Sequence, residues 1–200
     1  MKTKILLVYA FAVLASACAA PSSPQAVQTE LPAAPLETSP TSEAIPALPM
    51  TTYTDDSAGF SLDYPADWFI DASAAANADE AFAYSVGIAT WDLRNPPTPS
   101  GKGQNAIPDG GTKIDIAVMK QAMTLEEAVA QQSQNEAGSP ILARKDVLLA
   151  NGLPAVILDV EGFAGLTRTL ITVLNGNVIY VSGYGNLERF EEIAITLRAR

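Results

Sequence analysis

Among its 200 residues the sequence has no histidine and a single cysteine. Without histidine the chain cannot form a Ser-His-Asp or Cys-His catalytic triad, or a zinc or haem site ligated by imidazole. One cysteine cannot make an intramolecular disulfide, a CxxC redox pair or a four-cysteine zinc site. No motif in the sequence indicates a bound cofactor, a metal site or a catalytic residue, so we predict no cofactor, no metal and no catalytic residue.

Positive charge is also scarce. The chain carries 12 Lys and Arg against 22 Asp and Glu, which gives a net charge of −10. Because binding to phosphates depends on Lys and Arg that displace counterions, this balance argues against a nucleic-acid partner.

The N-terminus has the three parts of an export signal. Lys2 and Lys4 make it basic, residues 5–14 are apolar apart from one tyrosine hydroxyl, and residues 15–17 are small. The apolar run is about half of the ~20 residues that span a bilayer. We therefore predict that residues 1–17 are a signal peptide that is removed on export.

Cys18 directly follows this signal. Residues 14–18, Leu-Ala-Ser-Ala-Cys, resemble a bacterial lipobox, although Leu14 lies four residues before the cysteine and not three. The alternative is ordinary cleavage after Ala17, with Cys18 present by chance. An exported protein gains little from one unpaired thiol. We therefore predict that Cys18 is lipidated, with palmitate among its acyl chains, and anchors the chain to the extracytoplasmic face of a bacterial membrane.

The next segment, residues 19–50, is rich in proline, serine and threonine. It holds seven of the 14 prolines and has no glycine, aromatic residue, Lys or Arg. Such a chain cannot bury enough apolar surface to offset its ordering entropy. We predict that residues 18–50 are a lipidated, disordered tether with an upper reach on the order of 100 Å. A proline-rich ligand for a partner domain is the alternative.

Residues 51–200 have the size of one domain, and their pattern is mostly of strands. Period-two alternation and apolar runs predict strands at residues 60–64, 68–70, 82–91, 113–119, 143–150, 155–160, 166–174 and 178–184. Tight turns are predicted at residues 151–152, 162–165 and 175–177, where Asn and Gly are frequent. This domain carries ten basic and nineteen acidic residues, a net charge of −9.

Two helices are predicted. The sequence Thr124-Leu125-Glu126-Glu127 fits a capping box and begins a helix that reaches about Asn135. A second helix is predicted after Asn186. Its apolar stripe indicates docking on a sheet and consists of Leu187, Phe190, Ile193, Ala194 and Leu197.

Residues 59–68, Gly-Phe-Ser-Leu-Asp-Tyr-Pro-Ala-Asp-Trp, resemble the opening motif of PsbP-like domains, and residues 190–197 resemble their C-terminal helix. The family takes its name from an extrinsic photosystem II subunit and includes many bacterial lipoproteins of unassigned role. The resemblance implies an α+β fold, a central antiparallel β-sheet flanked by helices in an αβα sandwich. It also implies that the domain acts by docking on a larger assembly or by unknown means, while a photosynthetic role does not follow.

Three residues are predicted to share one sheet face. If the hairpin at residues 162–165 is symmetric, Asp159 lies opposite Arg168; folding the next hairpin about Gly176 places Tyr184 on the other side of Arg168. A carboxylate, a guanidinium and a phenol could form a small polar binding patch. The alternative is an ordinary cross-strand ion pair with a cation–π neighbour.

Two further groups are candidates. Trp91 and Arg94 stand at the start of a segment, residues 92–111, with four prolines and four glycines; a long loop of this kind is often functional, so both could contact a partner.

Several aspartates around the first strands could serve a glycosidase or bind calcium, although no calcium-loop motif occurs: Asp55, Asp56, Asp63, Asp67 and Asp71.

These features predict a membrane-tethered, extracytoplasmic lipoprotein. We expect its single α/β domain to be a binding or accessory module for a protein partner in an envelope or membrane assembly, and not an enzyme. The alternative is a cell-envelope hydrolase that uses Asp or Glu; it requires two carboxylates facing one cleft at glycosidase separation.

Overall fold

The computed structural model describes residues 48–73, 82–97, 107–119, 121–135, 140–162 and 165–200. The predicted signal peptide, Cys18 and nearly all of the predicted tether lie outside the described residues. So do part of the long 92–111 segment and the two residues at the tip of the 162–165 turn. Within the described ranges no helix is both long and apolar enough to cross a membrane.

Ten strands and two helices make up the described chain. In chain order they are β1 (Met50–Asp55), β2 (Phe60–Pro65), β3 (Phe69–Asp71), β4 (Phe82–Ala89), β5 (Thr112–Met119), α1 (Leu125–Asn135), β6 (Ile141–Leu148), β7 (Pro154–Gly162), β8 (Gly165–Leu174), β9 (Asn177–Gly185), α2 (Phe190–Ala194) and β10 (Arg198–Ala199).

Seven of the strands form one antiparallel sheet in the order β3-β4-β5-β9-β8-β7-β6. Its central strands bury side chains on both faces, because each face carries its own apolar core. In β7, Ala155 and Ile157 belong to one core, whereas Val156 and Leu158 belong to the other. The antiparallel sheet predicted from the sequence is confirmed.

Helix α1 covers one face of this sheet. Its capping box forms as predicted: the Glu127 N–H donates to Thr124 Oγ1 at 3.3 Å, and the Thr124 N–H donates to Glu127 Oε2 at 2.8 Å. Ala128 and Val129 are buried against strands β7 and β8. The described helix reaches Asn135, as predicted.

The other face is covered differently from the prediction. Helix α2 has only five residues, and a three-stranded sheet of order β1-β2-β10 packs beside it, so one face of the expected helical sandwich is built mostly from strands. The helix ends early because Thr196 Oγ1 donates to the Ile193 carbonyl and the chain then turns into β10, which pairs with β2. Leu197 is nevertheless buried with Phe190 and Ile193.

Asp63 holds the small sheet together from its middle strand. Its carboxylate accepts hydrogen bonds from both terminal nitrogens of Arg198 in β10, at 3.0 and 2.9 Å, and from Thr52 Oγ1 in β1, at 2.6 Å. The Arg198 guanidinium, with a further contribution from Thr52, holds the pKa of Asp63 below its ordinary value.

This lowered pKa predicts a pH-dependent contribution to stability. Because the carboxylate is favoured in the folded state, its contribution is present above the unfolded pKa of about 3.9 and is lost as the pH falls through the lower folded value. Both partners are about one third exposed, so we expect Asp63→Asn to cost only about 0.5–1 kcal/mol at pH 7. Urea unfolding should show this difference shrinking by pH 3. An equal difference at both pH values would contradict the assignment.

Candidate interaction site

The hairpin of β7 and β8 brings Asp159 and Arg168 together as predicted. Gly162 pairs with Gly165, so Asp159 lies directly opposite Arg168 in the ladder. Arg168 Nε donates to Asp159 Oδ1 at 2.6 Å, and Nη2 donates to Oδ2 at 2.7 Å. This two-point geometry fixes the guanidinium plane against the sheet, which a lysine could not do.

A second ion pair lies next to the first. Lys145 Nζ, on β6, donates to Glu191 Oε1, on α2, at 2.5 Å. Both pairs border one cleft between α2 and the β6 side of the sheet, with a volume of about 240 Å³. The residues that line this cleft, which we call the charged cleft, are Ala143, Lys145, Ile157, Asp159, Arg168 and Glu191.

One ion pair of the cleft, Asp159–Arg168, is partly withdrawn from solvent, whereas the side chains of Lys145 and Glu191 are 59% and 39% exposed. The side chains of Arg168 and Asp159 are 27% and 17% exposed. The hydrogen bonds to Asp159 raise the pKa of Arg168 above its ordinary value, and the nearby charge of Glu191 acts in the same direction. Within the described residues Arg168 Nη1 makes no hydrogen bond, so it remains a donor for a ligand.

The size of the charged cleft indicates what it can hold. Pockets that enclose a small molecule usually measure roughly 300–1,000 Å³, and this cleft is smaller. It offers donors from Arg168 and Lys145 beside the apolar side chains of Ala143 and Ile157. A carboxylate or a backbone carbonyl from a protruding protein segment fits this chemistry better than a whole metabolite does.

The predicted position of Tyr184 is wrong. The residue opposite Arg168 on β9 is Gly183, and Tyr184 pairs with Thr167. The turn between β8 and β9 has only two residues, Asn175 and Gly176, both with positive φ, as hairpins of the primed type require. A three-residue turn about Gly176 would shift the register by one, and such a shift moves a side chain to the other face.

Tyr184 therefore lies away from the charged cleft. Its ring is 5.9 Å from Lys113 Nζ, and it borders a separate depression on the α1 face together with Ser182. The predicted cation–π contact between Tyr184 and Arg168 is thus wrong, and Tyr184 contacts Lys113 in its place.

Trp91 and Arg94 lie near the opposite edge of the sheet. The Trp91 ring stands against Gly111, where any added Cβ would approach it to 2.9 Å, so the ring closes the base of the 92–111 segment. Arg94 reaches Asp71 at 3.7 Å. Neither residue joins Asp159 and Arg168, and their predicted contact with a partner stays a prediction.

The predicted aspartates do not converge. Asp55 accepts hydrogen bonds from Ser57 and from the Ala58 N–H within its own turn, Asp63 binds Arg198, and Asp71 binds Ser73. In the described part of the chain, no three acidic or cysteine side chains are grouped as a metal would require.

Sequence reasoning missed Lys145 and Glu191, the second ion pair of the cleft. The two residues are 46 positions apart, and their meeting depends on how α2 lies across the sheet. The alternation of β6 places Ala143 and Lys145 on one face, which is a usable signal. Nothing local in the sequence relates that face to Glu191.

No protein-family model and no curated protein matches the chain. Several solved structures are similar to it. The solution structure of cyanobacterial PsbP (CyanoP) from Synechocystis sp. PCC 6803 is 13% identical, covers 84% of this chain and 100% of its own, and has a TM-score of 0.48. A crystal structure from Bacteroides thetaiotaomicron VPI-5482 is 16% identical over 74% of this chain and 48% of its own, with a TM-score of 0.39.

A protein of unknown function from Pseudomonas aeruginosa is 17% identical, covers 76% of this chain and 97% of its own, and has a TM-score of 0.41. A PsbP, the family that residues 59–68 resemble, is thus among these similar structures, and the likeness concerns the fold alone.

Proposed function

We propose that this chain is an exported lipoprotein whose PsbP-like domain is a binding module for a protein of the cell envelope. In this proposal the lipid on Cys18 holds the chain at the membrane and residues 19–50 let the domain reach its partner. The charged cleft receives an acidic or carbonyl-bearing segment of that partner.

The observation that carries the proposal is the pair of cations in one small cleft, of which Arg168 is fixed in orientation and partly buried. Arg168 is oriented by two hydrogen bonds to Asp159, and Lys145 is held by Glu191. Ordered donors lose little conformational entropy when a ligand arrives, so such a site binds more tightly than one with free side chains. An Arg that is partly buried and keeps a free donor is also typical of strong interface contacts.

The same cleft bears on the hydrolase alternative, because Asp159 and Glu191 both face it. A glycosidase needs one carboxyl that donates a proton to the leaving group. Here each carboxylate already accepts hydrogen bonds from a cation, an arrangement suited to orienting Arg168 and Lys145. This geometry favours binding over proton donation.

Site-specific cross-linking in intact cells tests the proposal. A photoreactive residue in place of Ala143, at the cleft, should form an adduct with a protein other than a second copy of this chain, as the adduct mass shows. Arg168→Ala removes a charged hydrogen-bond donor, and such bonds contribute about 1.5–3 kcal/mol, so adduct yield should fall about tenfold or more. Arg168→Lys should give an intermediate yield, and Arg94→Ala should leave the yield unchanged.

Circular dichroism of each variant separates loss of binding from loss of fold. If folded Arg168→Ala gives as much adduct as the wild type, the charged cleft is not the binding site. If Ala143 yields no adduct while Glu191→Gln abolishes turnover of a cell-wall substrate, the hydrolase alternative is correct.

A further inference from the structure

Strand β6 forms a long edge of the large sheet. It stands at the end of the strand order and has eight residues, of which all but Val147 are exposed. Two of its leucines, Leu142 and Leu148, are 56% and 66% exposed. An exposed edge with apolar side chains is a template for pairing with another strand, so β6 is a candidate interface with another chain.

The sequence of β6 is self-complementary about Lys145. Arg144 and Asp146 flank this residue with opposite charges, and the strand pairs regularly with β7 from Ala143 to Leu148, after an irregularity between Ile141 and Ala143. Arg144 and Asp146 share the face that bears α1, since Arg144 binds both Asp146 and Glu126. When two identical strands run antiparallel with Lys145 opposite Lys145, each Arg144 therefore meets the Asp146 of the other copy.

We propose that two copies of this chain pair through β6 in this register and form a two-fold symmetric dimer with a continuous sheet of fourteen strands. On either side of the axis the pairing forms one ion pair between Arg144 of one copy and Asp146 of the other, in place of the bond between these residues within each strand. Because the same patch meets itself, the contact closes at two copies and does not propagate into a fibre.

The charges at the axis are balanced in this dimer. The two Lys145 side chains come together there, and each is already bound to Glu191 of its own chain at 2.5 Å. Arg144 exchanges its exposed bond to Asp146 in the same strand for one across the interface and keeps Glu126 within reach. The partner that fits this edge best is thus a second copy of this chain.

The dimer also has a consequence for the charged cleft. Lys145 borders that cleft and lies on the axis, so the two clefts become neighbours on the same face of the joined sheet. A partner with two acidic segments could engage both clefts at once, and linked binding of this kind raises affinity without new contacts.

Charge exchange tests the register. Sedimentation of the full-length protein in detergent should show a monomer–dimer equilibrium. Arg144→Asp and Asp146→Arg each place like charges opposite one another at two positions, and cross-strand pairs of this kind contribute roughly 0.2–1 kcal/mol each, so each variant should raise the dimer dissociation constant about tenfold. An equimolar mixture of the two variants restores both attractive pairs and should form a heterodimer.

A disulfide provides the second test. In the proposed register the Cα atoms of Lys145 in the two copies lie about 4.5–5.5 Å apart, a separation that a disulfide can bridge. Lys145→Cys should therefore cross-link into a dimer under oxidation. Ala143→Cys is the control, since four residues of strand, about 13 Å, would separate the two thiols. The wild type, whose single cysteine is Cys18, gives the background.

A wild type that stays monomeric throughout would overturn the proposal. So would a dimer that Arg144→Asp does not weaken, or equal cross-linking from positions 143 and 145.

Discussion

Replacement of Phe190 by alanine should lower the free energy of unfolding by about 3–5 kcal/mol. Phe190 is fully buried in the core beneath α2, together with Phe60, Leu62 and Ile193. Its ring lies directly against Gly183 of β9, where any added Cβ would overlap it. Gly183 therefore supplies no side chain that could fill the cavity on this side.

The expected loss is large relative to the total stability of a domain, which is about 5–15 kcal/mol. For a domain of this size it corresponds to a fall of roughly 6–20 °C in Tm. Phe69→Ala is the matched control, because Phe69 is 47% exposed on the edge strand β3, and we expect it to cost less than about 1 kcal/mol. Thermal unfolding followed by circular dichroism measures both. Similar losses for Phe190 and Phe69 would contradict the assignment of the core.

The existence of most strands could be predicted because the pattern of apolar and polar residues within each strand indicates it. In β2, Phe60 and Leu62 alternate with polar residues, and in β8 the apolar run is long enough for a strand buried on both faces. The helix α1 could be predicted from its capping box, which involves only residues within four positions of one another. Local chemistry thus decides where these elements begin and end.

Features that depend on distant partners could not be predicted. Strand β1, Met50–Asp55, begins at the last residue of the predicted tether, and the sequence predicts no strand there. Its regularity comes from pairing with β2. Strand β10 likewise exists only through β2. Its formation explains why α2 is shorter than the apolar stripe that ends at Leu197.

The candidate site shows the same division. The Asp159–Arg168 pair follows from one hairpin and was predicted, whereas Tyr184 was misplaced by a single residue of turn length. Asn175, with φ 51°, starts a two-residue turn. The Asn-Gly sequence is typical of such a turn and indicates the correct register. The Lys145–Glu191 pair needs the docking of α2 on the sheet, which no local pattern specifies.

Replacement of Cys18 by serine should release the chain from the membrane. Each buried CH₂ of an acyl chain contributes about 0.8 kcal/mol, so several acyl chains on one residue give stable anchoring. Without the thiol no lipid can be attached, and nearly all of the protein should move to the soluble extracytoplasmic fraction. The double variant Cys18→Ser, Ser22→Cys is the control: it keeps one thiol in the chain but moves it away from the lipobox-like residues 14–18.

We propose that this acidic domain works at the membrane surface because Cys18 anchors it there. The measurement is labelling with radioactive palmitate and membrane fractionation of the wild type, Cys18→Ser and the double variant, with the Ala143 adduct scored in each. Only the wild type should be labelled and membrane-bound, and adduct yield should fall in both variants. An unlabelled wild type, or a Cys18→Ser variant that stays on the membrane with undiminished adduct, would contradict this proposal.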